Sequence, residues 1–166
     1  NGVLDEDRYF SSIGAHNTVQ IDSIEPMPKI GPFLRSRWSK MRIVGEINKG
    51  KDFLSWSGEY DIKPKATHTR EVTLSKNVLK VFDDVNGADG LITLRWRLIS
   101  SSWELHDNVL TGDGFRIEVL CKENFTMALK SGFESRYYNQ YEEVPILEIT
   151  VNGTFTRITT NIYLEA

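Results

Sequence analysis

The side chains with the most chemistry to offer gather near the start of the chain, in Arg8-Tyr9-Phe10-Ser11-Ser12-Ile13-Gly14-Ala15-His16-Asn17-Thr18-Val19-Gln20-Ile21-Asp22. An imidazole such as His16 can act as an acid, a base or a metal ligand near neutral pH. It can equally be a structural residue at the entry to a strand. Arg8 can grip a carboxylate through two parallel hydrogen bonds, or pair with Asp5 or Asp7. Tyr9 can present its hydroxyl to a cleft or serve as core packing. Asn17 can orient His16 or bond nearby backbone, as Asn commonly does beside a strand start. His68 is a second imidazole, with Asp22 or Asp61 as candidate carboxylate partners. His106 reads as part of a solvated loop or edge strand.

A second class of chemistry is sugar stacking. Of four tryptophans, Trp96 is in phase with Leu94 and Leu98 and reads as core. Trp38 lies in Arg35-Ser36-Arg37-Trp38-Ser39-Lys40-Met41-Arg42, the most basic window of the chain, and is the best candidate for an exposed ring. That window suits an acidic glycan, and it equally suits an edge strand guarded by charge. Cys121 lies in an apolar run and reads as a small core residue. No P-loop, zincin motif, nucleophile elbow or cysteine-based metal motif is present.

These residues must be positioned by strands. Short runs alternate apolar with polar residues, the period of half-buried β-structure. Such runs lie near residues 19–22, 43–47, 53–60, 70–74, 79–85, 91–99, 115–119, 125–129, 146–151 and 155–164. Asn86-Gly87, Asp89-Gly90, Asp113-Gly114 and Asn152-Gly153 are turn dipeptides. Asn152-Gly153, between two alternating runs, carries the clearest hairpin signal. Tyr137, Tyr138 and Tyr141 read as a polar aromatic loop. The proline-bearing stretch Glu25-Pro26-Met27-Pro28-Lys29-Ile30-Gly31-Pro32 cannot be a central strand and is expected to cross between sheets. No amphipathic helix of three turns is evident. The pattern predicts an all-β antiparallel sandwich or barrel with little or no helix.

The 166 residues suit a single domain spanning 1–166. The net charge of −3 and the lack of a dense cationic run argue against nucleic acid as a partner. No apolar stretch is long enough to span a bilayer as a helix. The opening Asn1-Gly2-Val3-Leu4-Asp5-Glu6-Asp7 reads as a linker, as expected of a piece of a longer protein.

The segment from Arg8 to Asp22, most specifically Ala15-His16-Asn17-Thr18-Val19, resembles the heparinase II/III-like polysaccharide lyases. Residues 57–61, 67–72 and 79–85 extend the resemblance: a Gly-Tyr-like strand, a strand carrying His and Arg, and a strand ending near Asp. It covers roughly residues 8–99, and the remainder agrees by pattern only. It implies a C-terminal antiparallel two-sheet β-sandwich, with an N-terminal α/α toroid elsewhere in the same chain carrying most catalytic groups. It implies β-elimination on an acidic, uronic-acid-containing polysaccharide such as a glycosaminoglycan, by a periplasmic or secreted parent. The domain alone would then lack a complete active site. His16 is implied as a catalytic or metal-ligating residue, with Arg8, Tyr9 and Asn17 of the same segment as candidate substrate contacts; Trp38 is a candidate substrate contact on the strength of its own basic, aromatic window. Some members hold a divalent metal such as zinc through two His and an Asp. The alternative is a non-catalytic carbohydrate-binding or structural sandwich.

Overall fold

The computed structural model describes residues 6–31, 33–137 and 140–165, with the side chains of Glu6 and Asp7 excepted. Asp5, Pro32 and Tyr138 lie outside these residues. The chain opens with a one-turn helix, α1 (Glu6–Phe10), and a 3₁₀ turn (Ile13–Ala15). Glu6 and Asp7 of the stretch read as a linker thus belong to a helix, and its first five residues lie outside the described ones; Tyr9 stands on the same helix, not on a strand.

Among the described residues twelve strands follow. They are β1 (Val19–Ile21), β2 (Met41–Lys49), β3 (Phe53–Lys63), β4 (Ala66–Ser75), β5 (Val78–Asn86) and β6 (Leu91–Arg97). After them come β7 (Glu104–His106), β8 (Val109–Gly112), β9 (Phe115–Cys121), β10 (Phe125–Tyr137), β11 (Gln140–Asn152) and β12 (Phe155–Leu164). They form two antiparallel sheets. One has four strands in the order β1-β6-β11-β10, and the other eight, in the order β2-β3-β4-β5-β12-β9-β8-β7. The fold is the two-sheet sandwich, not the barrel.

The core lies between the sheets and follows the period of two. Ile92 and Leu94 of β6 and Leu147, Ile149 and Val151 of β11 face Val85, Ile117, Val119 and Ile158 of the larger sheet, all buried. Each such side chain contributes roughly 1.5–3 kcal/mol by leaving water. Trp96 packs against this cluster and donates Nε1–H to Thr160 Oγ1 at 3.3 Å, so its polar edge is satisfied inside.

The Asn152-Gly153 signal proves misleading. β11 belongs to the four-stranded sheet and β12 to the eight-stranded one, so the dipeptide joins sheets instead of closing a hairpin. Both strands alternate because each buries one face in the same core, which local pattern cannot distinguish from pairing. Of the turn dipeptides, Asp113-Gly114 does close a tight hairpin, between β8 and β9, where φ is 51° and 75°. Two positive φ angles in succession suit the twist of a two-residue connection. The proline-bearing stretch does cross between sheets, from β1 to β2. Tyr137 and Tyr141 stand on β10 and β11, not in a loop.

Candidate functional site

The region around His16 is built on the end of the small sheet. Ile13 is buried and anchors the 3₁₀ turn, and its amide donates to the Glu25 carboxylate at 2.9 Å (Oε2) and 3.2 Å (Oε1). His16 ends the turn, with its own amide bonded to Ile13 O at 3.1 Å. Both His16 and Asn17 are exposed just before β1; the His16 backbone is extended, and Asn17 is the centre of a tight turn closed by the Thr18 amide on His16 O at 2.9 Å.

His16 lines two hollows. One, of about 270 Å³, also includes Ser11, Thr18, Glu25, Arg35, Met41 and Tyr60. The other, of about 280 Å³, includes Asn17, Arg97, Glu134 and Arg136. Arg8 is exposed on α1 and is not among the described residues lining either hollow. Of its two expected acidic partners, Asp5 and the Asp7 side chain lie outside the described residues. A third, larger hollow of about 560 Å³ lies elsewhere, against Leu120, Cys121, Phe155 and Arg157. There burial pushes the half-buried Cys121 thiol up to about 11, with its hydrogen bond to Glu123 adding to the effect, so it is a poor nucleophile.

Two arginines from opposite faces hold the segment that carries His16. Arg97, on the outer face of the small sheet, donates Nη1–H and Nη2–H to Gly14 O, each at 3.3 Å, and Nη2–H to the Tyr9 hydroxyl at 2.9 Å. The Tyr9 oxygen also accepts the Phe133 amide at 2.9 Å, so this hydroxyl is engaged inside the protein. A Cβ at Gly132 would lie 2.8 Å from that oxygen and 2.2 Å from Ile146 Cδ1, which explains the glycine there. The Asn17 side-chain oxygen accepts the Arg97 amide at 2.7 Å and so prolongs the ladder beyond β1.

From the inner face of the large sheet, Arg70 donates Nη1–H to Asn17 O at 2.6 Å and Nε–H to Asp83 Oδ1 at 2.7 Å. The same Asp83 oxygen lies 2.6 Å from His68 Nε2, and His68 and Asp83 are both buried. Burial alone would raise the Asp83 carboxyl, but His68 and Arg70 outweigh it and hold the group below the ordinary carboxylate range. The Tyr60 ring meets His68 edge-on at 5.2 Å. Its hydroxyl bonds Thr18 Oγ1 at 3.1 Å and Val19 O at 3.3 Å. Burial raises the Tyr60 phenol above its usual value.

His68 therefore pairs with neither expected carboxylate. Asp22 turns the chain after β1 at φ 50° and accepts the Leu91 amide at 2.9 Å. Asp61 binds Arg42 at 2.8 Å. Among the described residues no three His, Cys, Asp or Glu side chains converge as a metal site. At Asp83 one carboxylate oxygen, Oδ1, is shared by the His68 ring and the Arg70 guanidinium. A metal at His16 would draw its other ligands from outside the described residues.

Trp38 is 73 % exposed, in the extended stretch leading into β2 and not on a strand. Its basic neighbours are largely tied inward. Arg35 donates to Met27 O at 3.0 Å, Arg37 to Pro26 O at 3.0 Å and also to Ile62 O, and Arg42 to Glu59 and Asp61. Arg35 and Arg37 thereby secure the proline-bearing crossing, while Arg42 pairs with carboxylates of β3. His106 is exposed on β7, at the edge of the large sheet. Sequence reasoning missed Arg97, Arg70, Asp83 and Tyr60 as a set. A signal existed: His68 and Arg70 share the period-two face of Val72, and Asp83 shares that of Val81 and Val85.

Among the described residues no helix is long and apolar enough to cross a membrane. No curated protein matches the chain significantly. The solved structures that resemble it include a heparinase III (TM-score 0.77, 16% identity, covering 98% of this chain and 26% of that one). A second heparinase III gives TM-score 0.76 and 17% identity over 99% of this chain and 26% of that one. A mutant heparan sulfate lyase from Pedobacter heparinus gives TM-score 0.76 and 18% identity over 98% and 27%. The chain thus spans about a quarter of these proteins' length, and at such identity they speak for the fold. The family model described as "Heparinase II/III-like, C-terminal" matches residues 2–164, almost the entire chain, and so this chain belongs to the heparinase II/III-like C-terminal family.

Proposed function

We propose that this sandwich forms one wall of the substrate cleft in a polysaccharide lyase that cleaves acidic, uronic-acid-containing chains by β-elimination. The observation that carries the reading is His16: an exposed imidazole at the junction of two hollows, on backbone clamped from both sheets. In this reaction a base removes the proton on C5 beside the carboxylate. The C4–C5 double bond forms as the C4–oxygen bond breaks, and an acid protonates the departing oxygen. The barrier falls when the carboxylate's charge is neutralised. His16 supplies an acid–base group, and Arg136 of the second hollow a cation for the anionic sugar. A tyrosine or second base, expected from the toroid, completes the set, so the domain alone turns over no polysaccharide. The wider setting is a periplasmic or secreted enzyme.

The test is an NMR titration of the chain with a uronic-acid oligosaccharide. The His16 ring and the amides of residues 15–17 and 97–99 should shift together, and His16→Ala should weaken binding about tenfold or more. Binding that leaves His16 unmoved would end this reading. A second reading, a carbohydrate-binding module without catalysis, draws on the exposed rings of Trp38 and Phe33, the latter 98 % exposed. It predicts shifts at residues 33–38 instead.

A further inference from the structure

We infer that the buried Tyr60–His68–Arg70–Asp83 cluster is a positioning device that fixes the backbone bearing His16. Its significance rests on the reading of His16 as a cleft-facing imidazole; within the cluster, Tyr60 also lines one of the two hollows that His16 lines.

Three observations converge. The first is connectivity. β3, β4 and β5 place Tyr60, His68, Arg70 and Asp83 on one inner face, with Tyr60 opposite His68 and Arg70 opposite Asp83 in register. Every link that leaves this cluster for the other sheet ends on the short stretch from Asn17 to Val19, or on Trp96. Arg70 reaches Asn17 O and Tyr60 reaches Thr18 Oγ1 and Val19 O. The Arg70 guanidinium carbon lies 4.9 Å above the Trp96 ring, which stiffens the arginine from the small sheet's side.

The second observation is leverage. β1 is only three residues long and has a single partner strand, β6. So short an edge strand frays readily unless something holds its open side. Tyr60 binds that side through Val19 O, while Arg70 anchors the residue next to His16.

The third is energetic. His68 Nδ1, Arg70 Nη2 and Asp83 Oδ2 are buried without a hydrogen-bond partner among the described residues. Such groups are costly, and a well-packed apolar replacement for buried charge is often neutral or stabilising. A cluster that breaks the packing rules in this way points to a role beyond holding the fold together.

The experiment compares Arg70→Gln, Arg70→Lys and Tyr60→Phe with a core control, Val81→Ala, in the 166-residue chain. Two readouts are taken: the ring carbon–proton NMR signal of His16, and amide hydrogen exchange at residues 16–20. Arg70→Gln should broaden or split the His16 signal and speed exchange at 16–20 about tenfold or more, with amides of Ile149 and Ile158 unaffected. Arg70→Lys should restore much of the difference, since it keeps a cationic donor. Tyr60→Phe keeps the ring against His68, guards against a failure of the arginine variants to fold, and should give a smaller rise confined to Thr18 and Val19. Val81→Ala should leave the His16 signal alone. If it disturbs His16 as much as Arg70→Gln does, or if Arg70→Gln and Tyr60→Phe leave the segment unchanged, the inference is overturned. No glycan enters this measurement, so its outcome is separate from the fate of the lyase reading.

Discussion

Asn17 and Arg97, eighty residues apart, meet where the Asn17 side-chain oxygen takes the Arg97 amide at 2.7 Å. The contact replaces one rung of the sheet at the point where β1 has yet to begin. Asn17→Ala removes that acceptor and leaves the amide to find water. Urea unfolding should show a loss of about 1 kcal/mol, and Asn17→Asp, which keeps the oxygen, should lose less.

Tyr9→Phe removes one oxygen that two donors share, the Arg97 guanidinium and the Phe133 amide. The expected cost is about 1–2 kcal/mol. Limited proteolysis should also cut more readily near α1, because this hydroxyl ties the helix to β10 and to Arg97. Equal proteolysis of variant and parent would mean that ring packing against Phe133 alone holds the helix.

Asp83 gives the chain a pH dependence of known sign. Its folded carboxyl titrates below its ordinary value of 3.8. The stability it contributes is therefore fully present above that pH and is lost as the pH falls through the lower folded value. Asp83→Asn should cost about 3 kcal/mol at neutral pH, as expected when one member of a buried charged set is removed. It should also flatten the acid limb of a stability-against-pH curve. An acid limb as steep as the parent's would show that other carboxylates, Glu148 among them, carry it.

Ile149 is wholly buried in the centre of β11. Ile149→Ala should destabilise by about 3 kcal/mol through lost contacts and the cavity left behind. Trp38→Ala, by contrast, should change stability by less than about 0.5 kcal/mol. Thermal melts of the two variants side by side test this contrast. Oligosaccharide binding by Trp38→Ala then separates the two functional readings, since only the binding-module reading requires its loss.

The period-two alternation made the strands legible, because one buried face per strand writes itself into the sequence wherever the other face meets water. β6 and β12 were readable for this reason, and Ala15-His16-Asn17-Thr18-Val19 was specific enough to point to the family. β7 and β8 were not readable: they are three and four residues long and, unlike the equally short β1 with Val19 and Ile21 either side of Gln20, carry no apolar–polar–apolar alternation. Nor was the joining of different sheets at Asn152-Gly153, because a strand that faces a partner across the core alternates in the same way as one bonded beside it.

The exposure of His16 beside two hollows, the turning inward of Tyr9's hydroxyl and the meeting of Arg70 with Asp83 belong to the tertiary structure alone. For strands such as β6 and β12 the sequence by itself indicated which residues face inward, since the alternation there matches burial, whereas β2 alternates and yet leaves Ile43 and Ile47 exposed. Which inward residues meet is set by register and by how one sheet lies over the other, and those depend on contacts between segments far apart in the chain.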